Sequence, residues 1–448
     1  MKSAWRRTGG LALAIAFLVP LPAAAAGYVF KDGRSRAMDV ELTEVEGALR
    51  GAWPAAEPDW DTALLGLEVA TAEPHPAEGA WLEVAVGGAG GRQYFEPGER
   101  GLRWLNLTPY RERLAAGAGL EIRGRGMSAA PGTARLRLFR NALELRRPIL
   151  VLAPHPDDAE IAAFGVYAGR DATVVTVTVG NAGNMNYEAV VSEPAAHYTF
   201  KGKLRLIDSI TVPWQGGIPP ARCFNLGYFD ARLAEMHKSP RQAVPEMFSP
   251  NTDIGPYRRL NIATLLGKGP RASTWESLVA DVQELLRKVK PATIVAPHPQ
   301  LDTHLDHQFT TVALAEALAR WRKPVALLLY TNHASENRYP PGPADSVVSL
   351  PPPPGEVVLD RIYSHALSPE LQRGKLFAIE SMHDIRFNPT RQYQLALGDG
   401  RTLLPEPPGP APDIDYLRRG PRPNELYFVY DRDTLPPMID AFLKGAAR

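Results

Sequence analysis

Ile149-Leu150-Val151-Leu152-Ala153-Pro154-His155-Pro156-Asp157-Asp158-Ala159-Glu160 decides how this chain folds. The short apolar run predicts a buried strand, and Pro-His-Pro-Asp-Asp ends it where a helical pattern over 158–170 begins. Polar side chains at the C-terminal end of a parallel strand stand where open α/β sheets bind ligands. One imidazole and two carboxylates within four residues suit a hard or borderline divalent metal. His155 and Asp158 can ligate, while Asp157 stays free to handle a proton. The competing reading is a strand-to-helix turn in which Asp157 or Asp158 caps the following helix, since Asp is a favoured N-cap.

A second stretch has the same design. Pro291 to Pro297 is another apolar run, leading into His298-Pro299-Gln300-Leu301-Asp302-Thr303-His304-Leu305-Asp306-His307 and then a helical pattern over 309–321. Histidines three apart on a helical turn face the same way. A catalytic zinc takes three protein ligands and leaves one position open, so His155, Asp158 and either His304 or His307 would complete a set.

Together, His155-Pro156-Asp157-Asp158-x-Glu160 and Asp302-x-His304-x-Asp306-His307 resemble the PIG-L/LmbE family of zinc-dependent N-acetyl-sugar deacetylases, over roughly residues 147–335. The resemblance implies Zn2+ held by His155, Asp158 and His307, with Asp157 as general base and His304 as a helper at the transition state. It further implies that Asp302 and Asp306 orient the ligand histidines, and that the enzyme is an amide hydrolase releasing acetate. Arg205-Leu206-Ile207-Asp208 resembles the family's Arg-x-x-Glu helix start, with Asp in place of Glu. Gly180-Asn181 stands where the family often has Gly-Glu. Arg205 and Asn181 are therefore the expected substrate contacts, although an ion pair explains an Arg equally well. His298 repeats the Ala-Pro-His-Pro context outside the ligand positions and is expected beside the site, as are Asn332 and His333.

Around this core, composition and pattern set the plan. Lys2, Arg6 and Arg7, the apolar run 11–19 and the small residues 20–26 predict a secretory signal peptide over residues 1–27. The protein would then be exported, to the periplasm or beyond the cell, with no membrane span left after cleavage. Residues 28–145 show period-two runs at 63–70, 80–86, 102–107, 119–123 and 133–139, which predict an antiparallel β-sandwich. Such a domain can bind carbohydrate through Trp53, Trp60, Trp81, Tyr94 and Trp104, or use them as core. Gly87 to Gly91 reads as a turn. Residues 146–448 alternate strand and helix and predict an α/β fold, a Rossmann-like, mostly parallel sheet with helices on both faces. A Gly-x-Gly-x-x-Gly signature is absent after its first strand, so a nicotinamide cofactor is not implied.

Residues 180–270, rich in Asn, Gly, Pro, Tyr and Arg, are expected to form a long loop walling the substrate. Helices are expected over 275–289 and 368–382, proline-rich loops over 340–354 and 405–412, and a late edge strand over 426–430. A net charge of +1 gives no reason to expect nucleic acid. The single cysteine, Cys223, rules out an intrachain disulfide. The expected substrate is an N-acetylated sugar of the N-acetylglucosamine type in an envelope or secreted glycan or glycolipid. Two alternatives stay open: a zinc hydrolase of another amide, and a non-catalytic glycan-binding protein. A free carboxylate at Asp157 argues against the second.

Overall fold

A computed structural model describes residues 27–54, 59–143, 145, 147–185, 187–335, 339–383 and 419–446. The expected signal segment up to residue 26 and the proline-rich run 405–412 lie outside the described residues. Among the described residues no helix is long and apolar enough to cross a membrane.

Ile149–Ala153 forms the expected strand with every residue buried. It lies inside a seven-stranded sheet ordered Cys223–Tyr228, Ala172–Thr178, Ile149–Ala153, Thr293–Pro297, Ala326–Tyr330, Asn424–Asp431, Arg361–Ala366. The first five strands pair in parallel, and Asn424–Asp431 runs antiparallel to both of its neighbours. Near-continuous apolar runs such as Val174 to Val177 fit strands covered on both faces. From Ile149–Ala153 the chain moves outward to 172–178 and 223–228 on one side, then returns to add 293–297 and 326–330 on the other. The order therefore reverses between Ile149–Ala153 and Thr293–Pro297. A crevice opens at such a point because the two following connections leave in opposite directions. Both histidine-bearing stretches begin there.

Three local expectations change. Residues 180–270 are not one loop: they contain the helix Pro194–Thr211 and the sheet strand Cys223–Tyr228. The Glu193 carboxylate caps that helix by accepting from Ala195 N and Ala196 N, and Pro194 occupies the first turn, where it gives up no hydrogen bond. Arg205 thus sits well inside a helix rather than at a helix start. The late strand is not an edge strand, since Asn424–Asp431 has partners on both sides. The second site helix starts at Leu305, four residues before the expected 309, because the His304 ring accepts from Asp306 N and caps it.

The helix Trp275–Val289 forms with its expected bounds, Thr274 Oγ1 accepting from Ser277 N at its start. Leu278, Val282, Leu285 and Leu286 on its inner face are at most 1% exposed, and each such burial contributes about 1.5–3 kcal/mol. Leu285→Ala should cost about 2–5 kcal/mol, read as a lower urea midpoint at unchanged slope.

Before the central sheet, nine antiparallel strands form one continuous sheet. Arg36–Val45 is its hinge: residues 36–42 pair with Gly132–Phe139, and residues 43–45 pair with Ala48–Gly51. The two halves share one apolar core, with Leu65, Leu67 and Leu136 from one and Leu82, Val84 and Ile122 from the other. Trp60 and Trp104 are buried, while Trp81 packs on Tyr94 with ring centroids 5.2 Å apart. Gly87 and Gly88 make the turn, and the strand resumes at Ala89.

This sheet is joined closely to the rest of the chain. Gly27–Phe30 pairs not with the other N-terminal strands but in parallel with Glu356–Leu359. Phe30, Leu64, Trp104 and Phe139 belong to the large core of the central sheet. The Asn106 amide donates to Val348 O and Ser364 Oγ, both at 2.8 Å, and Asn141 Nδ2 donates to Ile362 O at 2.8 Å.

Candidate metal centre

Three atoms from the two stretches meet at the switch point. His155 Nδ1 lies 3.2 Å from His307 Nε2 and 3.3 Å from Asp158 Oδ2, and His307 Nε2 lies 3.0 Å from that same oxygen. Bonds of about 2.0–2.1 Å in a tetrahedral zinc site put neighbouring donor atoms roughly 3.3 Å apart, so this triangle has the size the ion requires. All three side chains are buried.

Each imidazole is held by its other nitrogen. His307 Nδ1 lies 3.0 Å from Asp302 Oδ2, as the sequence leads one to expect. His155 Nε2 lies 3.1 Å from Asp230 Oδ1 and 3.4 Å from Asp306 Oδ2. Asp306 mainly ties the helix to the 230–233 turn, accepting from Ala231 N at 2.6 Å and Leu233 N at 3.2 Å. Asp230 therefore supports His155 at closer range, and sequence reasoning missed it. Its signal was a carboxylate two residues past the end of the strand Cys223–Tyr228, at the same sheet edge as the other site residues. When the outer nitrogens donate to these carboxylates, Nδ1 of neutral His155 and Nε2 of neutral His307 are left with lone pairs able to hold a metal.

Burial alone would lower both histidines. For His155, Asp230 and Asp158 outweigh it and hold the pKa well above the ordinary value; for His307, Asp158 and Asp302 raise it to about 10. In the metal-free protein at pH 7.5 at least one ligating nitrogen is therefore protonated, and only the neutral ring can ligate. Adding metal to the metal-free protein at that pH in weak buffer should release at least one proton per ion. Affinity should rise with pH until about 10, and the calorimetric heat should change with the buffer's ionisation enthalpy. Buffer-independent heats would contradict this.

Asp157 is the N-cap residue of the helix Asp158–Tyr167 by position, but its side chain makes no capping hydrogen bond. Its Oδ2 instead accepts from Arg205 Nη2 at 3.1 Å, and the side chain is 19% exposed. Burial pushes its carboxyl above the ordinary range, Arg205 opposing and Asp158 adding to the shift. Gly180 makes room for this pair: its φ is +64°, and a Cβ there would meet the Arg205 guanidinium and Pro156. Asp158 does not cap either, since its Oδ2 accepts from His155 N at 2.9 Å and its Oδ1 from Asn332 Nδ2 at 2.7 Å.

The remaining expected site residues separate into near and far. The His304 ring is half-buried, with its centroid 4.7 Å from that of His155 and 5.2 Å from that of His307. Because its Nδ1 accepts from Asp306 N, its proton is placed on Nε2. Burial, with the neighbouring histidines, lowers its pKa to about 3. The His333 ring lies 4.6 Å from that of His307.

Asn181, expected to contact substrate, is only 2% exposed and is occupied elsewhere. Its Oδ1 accepts from Asp230 N at 3.1 Å, and its amide donates to Glu246. It braces the turn that carries Asp230. His298 is fully buried and engaged at both nitrogens, with Gln300 N and Leu301 N on one side and the Tyr430 hydroxyl on the other. It shapes the turn after its strand. Cys223 is buried, which pushes its thiol up to about 12.

Among the described residues, three donor sets have atoms within 4.8 Å of one another: His155 with His304 and His307, Asp158 with His307 and His333, and His155 with Asp230 and Asp306. The last is accounted for by hydrogen bonds to His155 Nε2. The first two surround the triangle.

The chain is thus a mixed α/β protein whose sheet crevice presents two imidazoles and a carboxylate able to hold a metal ion beside a second, unligated carboxylate. Residues 150–318 match the PIG-L family, described as GlcNAc-PI de-N-acetylase, a family of deacetylases that are typically metal-dependent. No curated protein matches the chain. Among solved structures it is similar to GalB, the 4-carboxy-2-hydroxymuconate hydratase of Pseudomonas putida KT2440. That similarity is 11% identity with a TM-score of 0.32, covering 64% of this chain and 95% of that one, too slight to carry an argument.

Proposed function

We propose that the protein hydrolyses the N-acetyl group of an N-acetylated sugar, with zinc held by His155 Nδ1, Asp158 Oδ2 and His307 Nε2. The observation that carries this reading is the triangle of 3.0–3.3 Å between those atoms, with the Asp157 carboxylate beside it making no cap. When bound, zinc supplies Lewis acidity: it polarises the amide carbonyl and lowers the pKa of a water toward about 7.

Asp157 takes the proton of the attacking water, its carboxylate oriented by Arg205. His304 is a neutral imidazole at neutral pH and donates Nε2–H to the developing oxyanion. With its Nδ1 committed to Asp306 N and no second proton to give, His304 is not the acid. Asp157 therefore returns the proton to the leaving amine. Arg205, held against Asp157 at 3.1 Å, is also assigned a sugar hydroxyl in this reading.

We further propose that the protein is exported, on the basic start and apolar run of residues 1–26, so that its substrate is an envelope or secreted glycan or glycolipid. The test is to incubate metal-free and zinc-loaded protein with a panel of N-acetylated glycans and measure released acetate. Zinc-dependent release from at least one sugar is expected. Zinc-dependent cleavage only of amides that carry no sugar would replace this reading.

A further inference from the structure

The two oxygens of Asp158 are held in different ways. Oδ2 faces His155 Nδ1 and His307 Nε2 and also accepts from His155 N. Oδ1 turns away and accepts from the Asn332 side-chain amide at 2.7 Å. Asn332 stands two residues beyond the strand Ala326–Tyr330 and is 4% exposed. Its main-chain N–H donates at 2.9 Å to Asp302 Oδ2, the oxygen that also holds His307 Nδ1. One residue thus fixes two carboxylates: Asp158 through its side chain, and Asp302 through its backbone.

A carboxylate beside a cation can bind through one oxygen or through both. Binding through both adds a donor and fills the position that a hydrolytic site keeps for water and substrate. An amide donor on Oδ1 competes with a cation for that oxygen's electron density and holds the carboxylate plane in place. We infer that Asn332 is a positioning residue that keeps Asp158 a one-oxygen ligand and so preserves an open coordination position. This rests on the metal site proposed above.

The test loads wild type, Asn332→Ala and Asn332→Leu with Co2+, and records the visible absorption, which is several-fold weaker at five or six donors than at four. Metal affinity is measured by chelator competition. The wild type should show the intense four-coordinate spectrum. Both variants should show weaker bands and a loss of metal affinity of about 10- to 100-fold, the usual effect of removing a residue that supports a ligand. Hydrolysis should fall in kcat more than in KM.

Variants with the wild-type spectrum and affinity overturn the inference. X-ray absorption of the zinc-loaded wild type gives a second measurement that does not depend on the variants folding. A single carboxylate oxygen at about 2.0 Å is expected, and two oxygens of one carboxylate at bonding distance overturn it. A wild type that takes up no metal overturns the metal site itself, and that result is read before any variant is made.

Discussion

Asp157→Asn is expected to keep the fold and about one metal ion per chain while lowering kcat by about 10²- to 10⁴-fold, the usual range for loss of a general base. The carboxylate makes no helix cap, so its loss does not unravel the helix Asp158–Tyr167. It accepts one hydrogen bond from Arg205, which an amide oxygen can also accept, so the guanidinium is not left without its partner. What the amide cannot do is take a proton at neutral pH. Metal content and the far-ultraviolet spectrum should match wild type, and single-turnover acetate release should fall with kcat. An Asp157→Asn protein that hydrolyses at the wild-type rate would reduce Asp157 to a structural partner of Arg205. One that lost its metal would make it a ligand.

His155→Ala, Asp158→Ala and His307→Ala should each lower metal affinity by more than about 100-fold, since removing even a supporting residue typically costs 10- to 100-fold. Each should also be inactive at limiting zinc. The three differ in what remains. Loss of His307 leaves Asp302 without its imidazole, and loss of His155 does the same to Asp230, so both remove the neighbour that stabilises a buried carboxylate. Protonation then follows more readily, and these two variants should lose stability as pH falls below neutrality. The sign follows from the folded protein, where burial opposes ionisation but the imidazoles overcome it and hold both carboxyls below the ordinary carboxylate value. A depressed carboxyl contributes stability above its unfolded pKa, near 4, and loses it as pH falls through the folded one. Without the imidazole, the folded pKa and the loss both move upward. Full metal occupancy in all three variants would refute the ligand assignment.

Much of the site was legible because its chemistry is concentrated in two stretches, each following an apolar run, and the reversal of strand order brings them together. What the sequence did not disclose came from elsewhere in the sheet. Asp230 stands alone beyond a strand end, separated from the ligands by long spans of chain, and a single acid at such a place has no spacing to read; Asn332 was expected beside the site, but its hydrogen bond to Asp158 was not. Asn181 looked like a substrate contact from its place after the second strand. In the fold, the helix carrying Lys201 and the turn carrying Asp230 close over it, Lys201 Nζ donating to Ala182 O at 2.8 Å. The helix Pro194–Thr211 and the strand Cys223–Tyr228 were hidden by the Pro, Gly and Asn residues around them, and Asn225 breaks the strand's apolar run. Arg36–Val45 was not among the expected strands although Met38, Val40 and Leu42 alternate with Asp39 and Glu41, the period-two pattern of a half-buried strand.

The parallel pairing of Gly27–Phe30 with Glu356–Leu359 also bears on how the chain is made. During synthesis the first strand emerges about 330 residues before the strand that receives it. At about 5–20 residues per second, Tyr28, Val29 and Phe30 wait on the order of 20–60 s without their partner. The N-terminal sheet can close on its own core in that interval, whereas its boundary with the central sheet cannot. This pairing therefore forms only after residue 359 has been made, and a chain interrupted before residue 356 presents Gly27–Phe30 unpaired to whatever chaperone or protease meets it first.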